Sequence, residues 1–294
     1  MYDIIGYYEA ETVSEATALL AENPNLRLIA GGTDVLIKMH GGQIEDAELL
    51  SLRKIKSLEI IRKAEDGTIV IGAMATFTQV FHDPILRELI PILTEAAISM
   101  GGPQIRNIAT IGGNVCNGAT SADSASSLFA LNAHLKLEDH QGERVVPIRE
   151  FYLGPGKVAL KPGEILTEIL ISPADYQGFG GRYIKFAMRE AMDIATLAVS
   201  VICKLQGKKT FDQVRIGLGV AGPTPLRCLE AEAYAQGKEV SVETVAEIGK
   251  RAVNSAKART SWRASKDYRE HLVEELVQRA LKIAVVNAGG AELV

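Results

Sequence analysis

The stretch TIGGNVCNGATSADSA, Thr110–Ala125, carries three glycines, two asparagines and two threonines between apolar flanks. Such a run builds no core of its own. It is either a plain surface loop or a backbone surface shaped to hold something. Leu28–Asp34, LIAGGTD, poses the same question earlier in the chain, where a short apolar run read as a strand ends in Gly31-Gly32. Glycine adopts positive φ and admits close approach, so consecutive N–H groups after such a strand can converge on an anion. For a lone Gly-Gly the plain strand-to-loop turn is the favoured reading. Two such loops in adjacent lobes could grip a pyrophosphate, with Thr33, Thr110 and Asn114 adding short polar side chains.

Outward from these loops, the pattern alternates helix and strand. Thr12–Glu15 is a capping-box pattern opening a helix with Val13, Ala16, Leu19 and Leu20 on one side. Leu26–Ala30 and Leu49–Leu52 read as short strands, and Thr68–Thr76 as a third. Thr76–Gln79 is a second capping box. Pro84–Met100 is helical in period, with Pro91 placed to kink or split it. A short helix, SSLFALNA, then precedes the strands AHLKLED and ILTEILI. Ser172–Gly181 reads as a linker. Beyond it come three strand-like runs, RYIKFAM, ATLAVSVICKL and VRIGLGVAG, and two long helices near 242–256 and 265–288. The second helix shows Leu272, Leu276, Ala280 and Ile283 on one stripe. The reading is α+β: a first domain over 1–175, with lobes of about 1–56 and 57–175, and a second over 176–294 with a three-stranded antiparallel sheet covered by helices.

Composition narrows the function classes. The chain has 294 residues, net charge −4 and 47% hydrophobic residues, as expected for a globular protein with full cores. Basic residues are scattered, which argues against nucleic-acid binding. No apolar run approaches the roughly 20 residues that span a bilayer, so no membrane association is expected. The first residues lack a basic segment followed by an apolar one, so no secretory signal is expected. Cys116, Cys203 and Cys228 stand far apart, which points to a reducing cytoplasm and leaves no local cluster for iron–sulfur or zinc. The five histidines form no ligand pair, so no metal site is expected in this chain.

Two further features have competing readings. Asp123 could accept from a ribose or adenine group, or cap the following helix. Lys185, Arg189 and Asp193 sit around one strand junction; by spacing alone they read as a solvated hairpin end with an Arg–Asp surface pair.

Taken together, the segments LIAGGTDVLIKM, IGAMATFTQV, GGPQIRNIATIGGNVCNGATSADSA, GPGKV, GEIL and KFAMREAMDIA resemble the FAD-binding medium subunit of molybdenum hydroxylases, the xanthine dehydrogenase family. The resemblance runs nearly end to end. PQIRNIAT, NGATSADSA and SWRASKDYREHL are most similar to the separate FAD-binding subunit of bacterial xanthine dehydrogenases. It implies a two-lobed FAD-binding domain of the vanillyl-alcohol-oxidase (PCMH) type followed by an α+β C-terminal domain. Ile29, Ala30, Gly31, Gly32, Thr33, Asp34 and Val35 would wrap the FAD pyrophosphate. Ala109, Thr110, Gly112, Gly113 and Asn114 would form a second clamp, and Asn117 and Asp123 match further FAD-contacting positions. Leu166 matches an apolar residue on the flavin ring, and Met100 stands where animal relatives carry an aromatic. Lys185, Arg189 and Asp193 match the charged segment beside the ring, against the surface-pair reading.

The resemblance also implies a relay. A molybdopterin-binding large subunit would hydroxylate a purine such as xanthine or hypoxanthine. A small subunit with [2Fe-2S] clusters would pass electrons to FAD here, and NAD+ would be the acceptor. No side-chain acid, base or nucleophile is expected to be catalytic, because the flavin is the redox centre. The expected assembly is a cytoplasmic dimer of heterotrimers. A related hydroxylase acting on nicotinate, carbon monoxide or an aldehyde, or a non-redox scaffold keeping the fold, are the alternatives.

Overall fold

The computed structural model describes residues 3–293. Three parallel strands, Ile4–Glu9, Ala47–Ser51 and Arg27–Ile29, form the first sheet in that spatial order. The helix Val13–Glu22 starts at Thr12, whose Oγ1 accepts from the Glu15 N–H at 3.1 Å. The Glu15 carboxylate reaches the Glu11 N–H at 2.8 Å, one residue before the position a full capping box uses. The segment after Gly31-Gly32 is the short helix Val35–His40. Parallel pairing thus puts the first Gly-Gly loop at the C-terminal end of a strand, where open α/β sheets hold their ligands.

The second sheet is antiparallel, with strands Ile61–Lys63, Ile69–Gly72, Ile165–Ile171, His134–Glu138 and Glu143–Pro147 in that order. Leu135 and Leu137 point inward while their neighbours are half-buried, as period 2 requires. Pro91 splits the predicted helix into Pro84–Leu89 and Pro91–Ser99. Proline lacks an N–H and pushes the residue before it out of the helical region; Ile90 sits at φ −139°, ψ 57°. The strand expected over 68–76 stops at Gly72, and Ala73–Ala75 cross to the second Gly-Gly loop.

At Thr76 the capping box is complete: Thr76 Oγ1 accepts from the Gln79 N–H at 3.2 Å, and Gln79 Oε1 accepts from the Thr76 N–H at 2.8 Å. Thr76→Ala should lower stability by about 1 kcal/mol, read as a lower urea midpoint at unchanged slope. An unchanged midpoint would mean that tertiary contacts alone hold this helix.

The C-terminal sheet corrects the three-stranded expectation. Gly180–Phe186, Leu197–Gln206 and Thr210–Gly219 are joined by a fourth strand, Leu226–Arg227. Two residues bounded by Pro225 give no alternation to read. Helices Lys266–Asn287 and Leu229–Ala235 pack on this sheet, and Val242–Ala252 packs on both of them in the same core. Leu272, Leu276 and Ala280 are buried as the stripe predicts, but Ile283 is exposed and Ala284 continues the buried line. The spacing G-x-G-x-x-G occurs at Gly217–Gly222, at the end of an antiparallel strand. No helix opens there, so it is not a dinucleotide fingerprint.

A buried polar network ties this half to the second sheet. Arg227 makes a two-bond fork to Glu232, both at 2.6 Å, and donates to Asn132 Oδ1 at 2.6 Å and Phe129 O at 3.1 Å. Asn132 donates to Asp175, which pairs with Arg215 at 2.8 Å. Each member has a partner, so the network fixes how the halves dock.

Candidate functional site: a cleft between two glycine loops

The two Gly-Gly loops meet edge to edge. A Cβ on Gly31 would collide with the Ile108 carbonyl, and one on Gly112 would lie 2.6 Å from Ala73 O. Glycine at 31 lets the first loop touch the backbone just before the second, and glycine at 112 lets the second loop pack on the chain at Ala73. Gly32 has φ +75°, a conformation that L side chains resist. Between the loops lies a cleft of about 450 Å³, within the usual range for small-molecule sites.

The two loops are not equivalent. The backbone N–H groups of Gly31, Gly32, Thr33 and Asp34 meet no acceptor among the described residues. They precede the helix Val35–His40, so its positive end adds to the same array. In the second loop the amides are engaged. Ile111 N–H donates to Ala75 O and Gly112 N–H to Ala73 O, both at 2.9 Å. Gly113 N–H donates to Thr110 Oγ1 at 3.1 Å, because Thr110 caps the helix Ile111–Cys116. The stretch read from composition as a loop is therefore partly helix, and its contribution to the cleft is shape and side chains.

Of the residues singled out in the sequence, Ala30, Gly31, Gly32, Thr33, Asp34, Val35, Met100, Ala109, Thr110, Gly112, Gly113, Asn114, Asn117 and Leu166 all line this cleft. Ile29 does not; it packs beneath the loop against Met39, Ile44 and Leu49. Asp123 and Lys185 do not line the cleft; they form a buried ion pair, Lys185 Nζ standing 3.0 Å from Asp123 Oδ1, and Lys185 lines a separate cavity of about 630 Å³ with Ser99, Arg189 and Asp193. Lys185 Nζ also donates to the carbonyl of Ser99, the residue before Met100, at 3.0 Å. Ser124, not Asp123, occupies the cap position of the helix Ala125–Ala130, which removes the capping reading of Asp123. Arg189 and Asp193 form a hairpin-end pair, with the Arg189 side chain 67% exposed and donating to Met192 O.

Sequence reasoning missed Lys38, whose Nζ donates to Asn117 Oδ1 at 2.8 Å and so bridges the two sides of the cleft. A lysine within VLIKM was its only sequence signal. Met74, Phe77, Ile105, Leu160 and Ile165, also missed, make much of the remaining lining apolar.

Burial pushes the Asp123 carboxyl up to about 6, and the Lys185 ammonium pulls it partly back. A folded pKa above the unfolded value means the folded state binds the proton first. Its stabilising contribution is therefore full at low pH and is lost as pH rises through about 6. Relative to Asp123→Asn, the wild type should gain stability from about pH 7 down to about pH 4, with a limiting slope of about 1.4 kcal/mol per unit. Paired urea titrations read this, and a flat difference would assign Asp123 an ordinary pKa.

These residues fit a dinucleotide cofactor carrying a flat, largely apolar ring. The unengaged amides suit a pyrophosphate, and Met100, Leu166 and Phe77 suit the ring.

Residues 3–174 match the family described as the FAD binding domain in molybdopterin dehydrogenase. The chain belongs to this family. Residues 182–284 match the CO dehydrogenase flavoprotein C-terminal domain. This FAD-binding chain is 42% identical to the xanthine dehydrogenase FAD-binding subunit of Escherichia coli, covering 99% of both. It is 33% identical to the carbon monoxide dehydrogenase medium chain of Hydrogenophaga pseudoflava, covering 95% of this chain and 96% of that one. The solved carbon monoxide dehydrogenase of Hydrogenophaga pseudoflava lacking the Mo-pyranopterin moiety superposes with TM-score 0.92 at 31% identity, covering 98% of this chain and 99% of that chain. The chain is thus a xanthine dehydrogenase-like oxidoreductase subunit with an α+β fold and an FAD-binding domain. No helix among its described residues is long and apolar enough to cross a membrane.

Proposed function

We propose that this chain is the FAD-carrying electron-transfer subunit of a xanthine dehydrogenase-like molybdenum hydroxylase. Its partners in this reading are a molybdopterin-binding large subunit and a small [2Fe-2S] subunit, assembled as a dimer of heterotrimers in the cytoplasm, with NAD+ as acceptor. The observation that carries the reading is the row of unengaged amides at Gly31–Asp34 facing an apolar cleft. The greater identity to the xanthine dehydrogenase subunit, 42% against 33% for the carbon monoxide enzyme, favours a purine substrate for the complex.

FAD, when bound, supplies a centre that accepts single electrons and delivers them in pairs. The protein's residues bind and orient. Gly31–Asp34 donate to the pyrophosphate, and Lys38 offsets its charge. Met100 and Leu166 pack on the ring and exclude water. Lys185, fixed by Asp123 and Ser99 O, holds a positive charge in the separate cavity. Arg189 and Asp193 line the same cavity as Lys185 and complete the charged segment beside it, with the Arg189 side chain 67% exposed and Asp193 12%.

The test is an anaerobic titration of the purified chain with NADH, followed in the flavin absorption bands. Bleaching at about one equivalent is expected. A flavin-loaded chain that NADH leaves oxidised while dithionite reduces it would remove NAD+ as acceptor. A colourless chain that takes up no FAD would return the scaffold reading.

A further inference from the structure

Apart from the flavin cleft and the cavity around Lys185, a small cavity of about 70 Å³ lies where residues 120–121 meet the start of the last helix. The sequence motif SWRASKDYREHL supplies much of it, and the flavin cleft uses none of that motif. Arg259, Arg263 and Arg269 line the cavity together with Thr120, Ser121 and Ser261. Among the described residues, none of the three arginines has a carboxylate within 4.0 Å.

The arrangement is costly as it stands. Arg269 is 3% exposed, and its guanidinium donates to Thr196 O and to Ser261 Oγ. The Nε–H groups of Arg263 and Arg269 are buried and meet no acceptor. Burial and the neighbouring charges of Arg259 and Arg263 push the Arg269 pKa down. Arg269 also projects from the first turn of the helix Lys266–Asn287, the positive end of a long helix dipole, where cations are disfavoured. Three like charges, two orphaned donors and a positive helix end together favour an anion. Guanidinium forks match oxyanions in pairs, and the free hydroxyls of Thr120 and Ser121 can donate alongside them. The volume suits one tetrahedral group.

We propose that this cavity is a binding site for a phosphate group, either inorganic phosphate or the phosphomonoester end of a nucleotide. It is distinct from the flavin cleft. The motif's Trp262 is the only tryptophan, and Arg263 stacks over its ring at 4.2 Å. Occupancy that draws on Arg263 therefore perturbs tryptophan emission.

The experiment titrates the full FAD-loaded chain with inorganic phosphate, and separately with adenosine monophosphate, at constant ionic strength set by chloride. Calorimetry and Trp262 emission are the readouts. One saturable site is expected, weakened at least tenfold in Arg259→Gln, with flavin content unchanged. Arg259 is an exposed position, so this variant should fold where Arg269→Met could fail. Tighter binding of the nucleotide assigns the phosphate to a nucleotide, and equal binding assigns it to the free ion. No saturable response to either probe, or the same affinity in Arg259→Gln, overturns the proposal.

Discussion

A Gly32→Val chain is expected to purify folded and without flavin. Gly32 sits at φ +75°, and an L side chain there costs roughly 1–2 kcal/mol, more when β-branched. If the loop relaxes to negative φ, the amides of Gly31–Asp34 no longer converge. Each hydrogen bond to a charged group contributes about 1.5–3 kcal/mol, so losing two weakens binding by at least about 100-fold. Gly237→Val is the control. Gly237 has φ +71° and nothing within 4 Å of an added Cβ, so it bears the same strain outside the cleft. It should lose stability and keep FAD. The ratio of flavin to protein absorbance decides. A folded Gly32→Val with full flavin content would remove the amide array from the site.

Lys185→Met should be the most destabilising of the conservative-volume replacements, by about 3–5 kcal/mol. The side chains of Lys185 and Asp123 are 9% and 10% exposed. Removing the ammonium strands a carboxylate in a poorly solvated position and drives its pKa further up. The double variant Lys185→Met/Asp123→Leu should recover most of the loss, because two apolar groups carry no desolvation penalty. A cycle of urea midpoints measures this. A single-variant loss under about 1 kcal/mol would place the pair with solvent-screened surface pairs.

The parts of the site legible in the sequence are those whose signal is local. Gly31-Gly32 after LIA and Gly112-Gly113 after IATI name themselves, because only glycine permits that φ and that contact. Thr76–Gln79 is equally local, and its capping box forms. Side-chain pairs made by tertiary folding leave no such mark. Lys185 and Asp123 are 62 residues apart, and Lys38 and Asn117 are 79 apart. Spacing alone could not distinguish Lys185 from its neighbour Arg189, yet the Lys185 side chain is 9% exposed and the Arg189 side chain 67%. The strand Ile4–Glu9 was not legible either. It is an edge strand with Ile5 and Tyr7 exposed, so it shows no alternation. The roles of the two glycine loops were also not separable, since the sequence cannot show that Thr110 engages the Gly113 amide.

The most direct test of the cleft assignment is a crystal structure of the chain purified with its flavin. The FAD pyrophosphate is expected within hydrogen-bond distance of the Gly31–Asp34 amides, with the isoalloxazine against Met100 and Leu166. A pyrophosphate bound elsewhere, with those four amides facing only water, would contradict it.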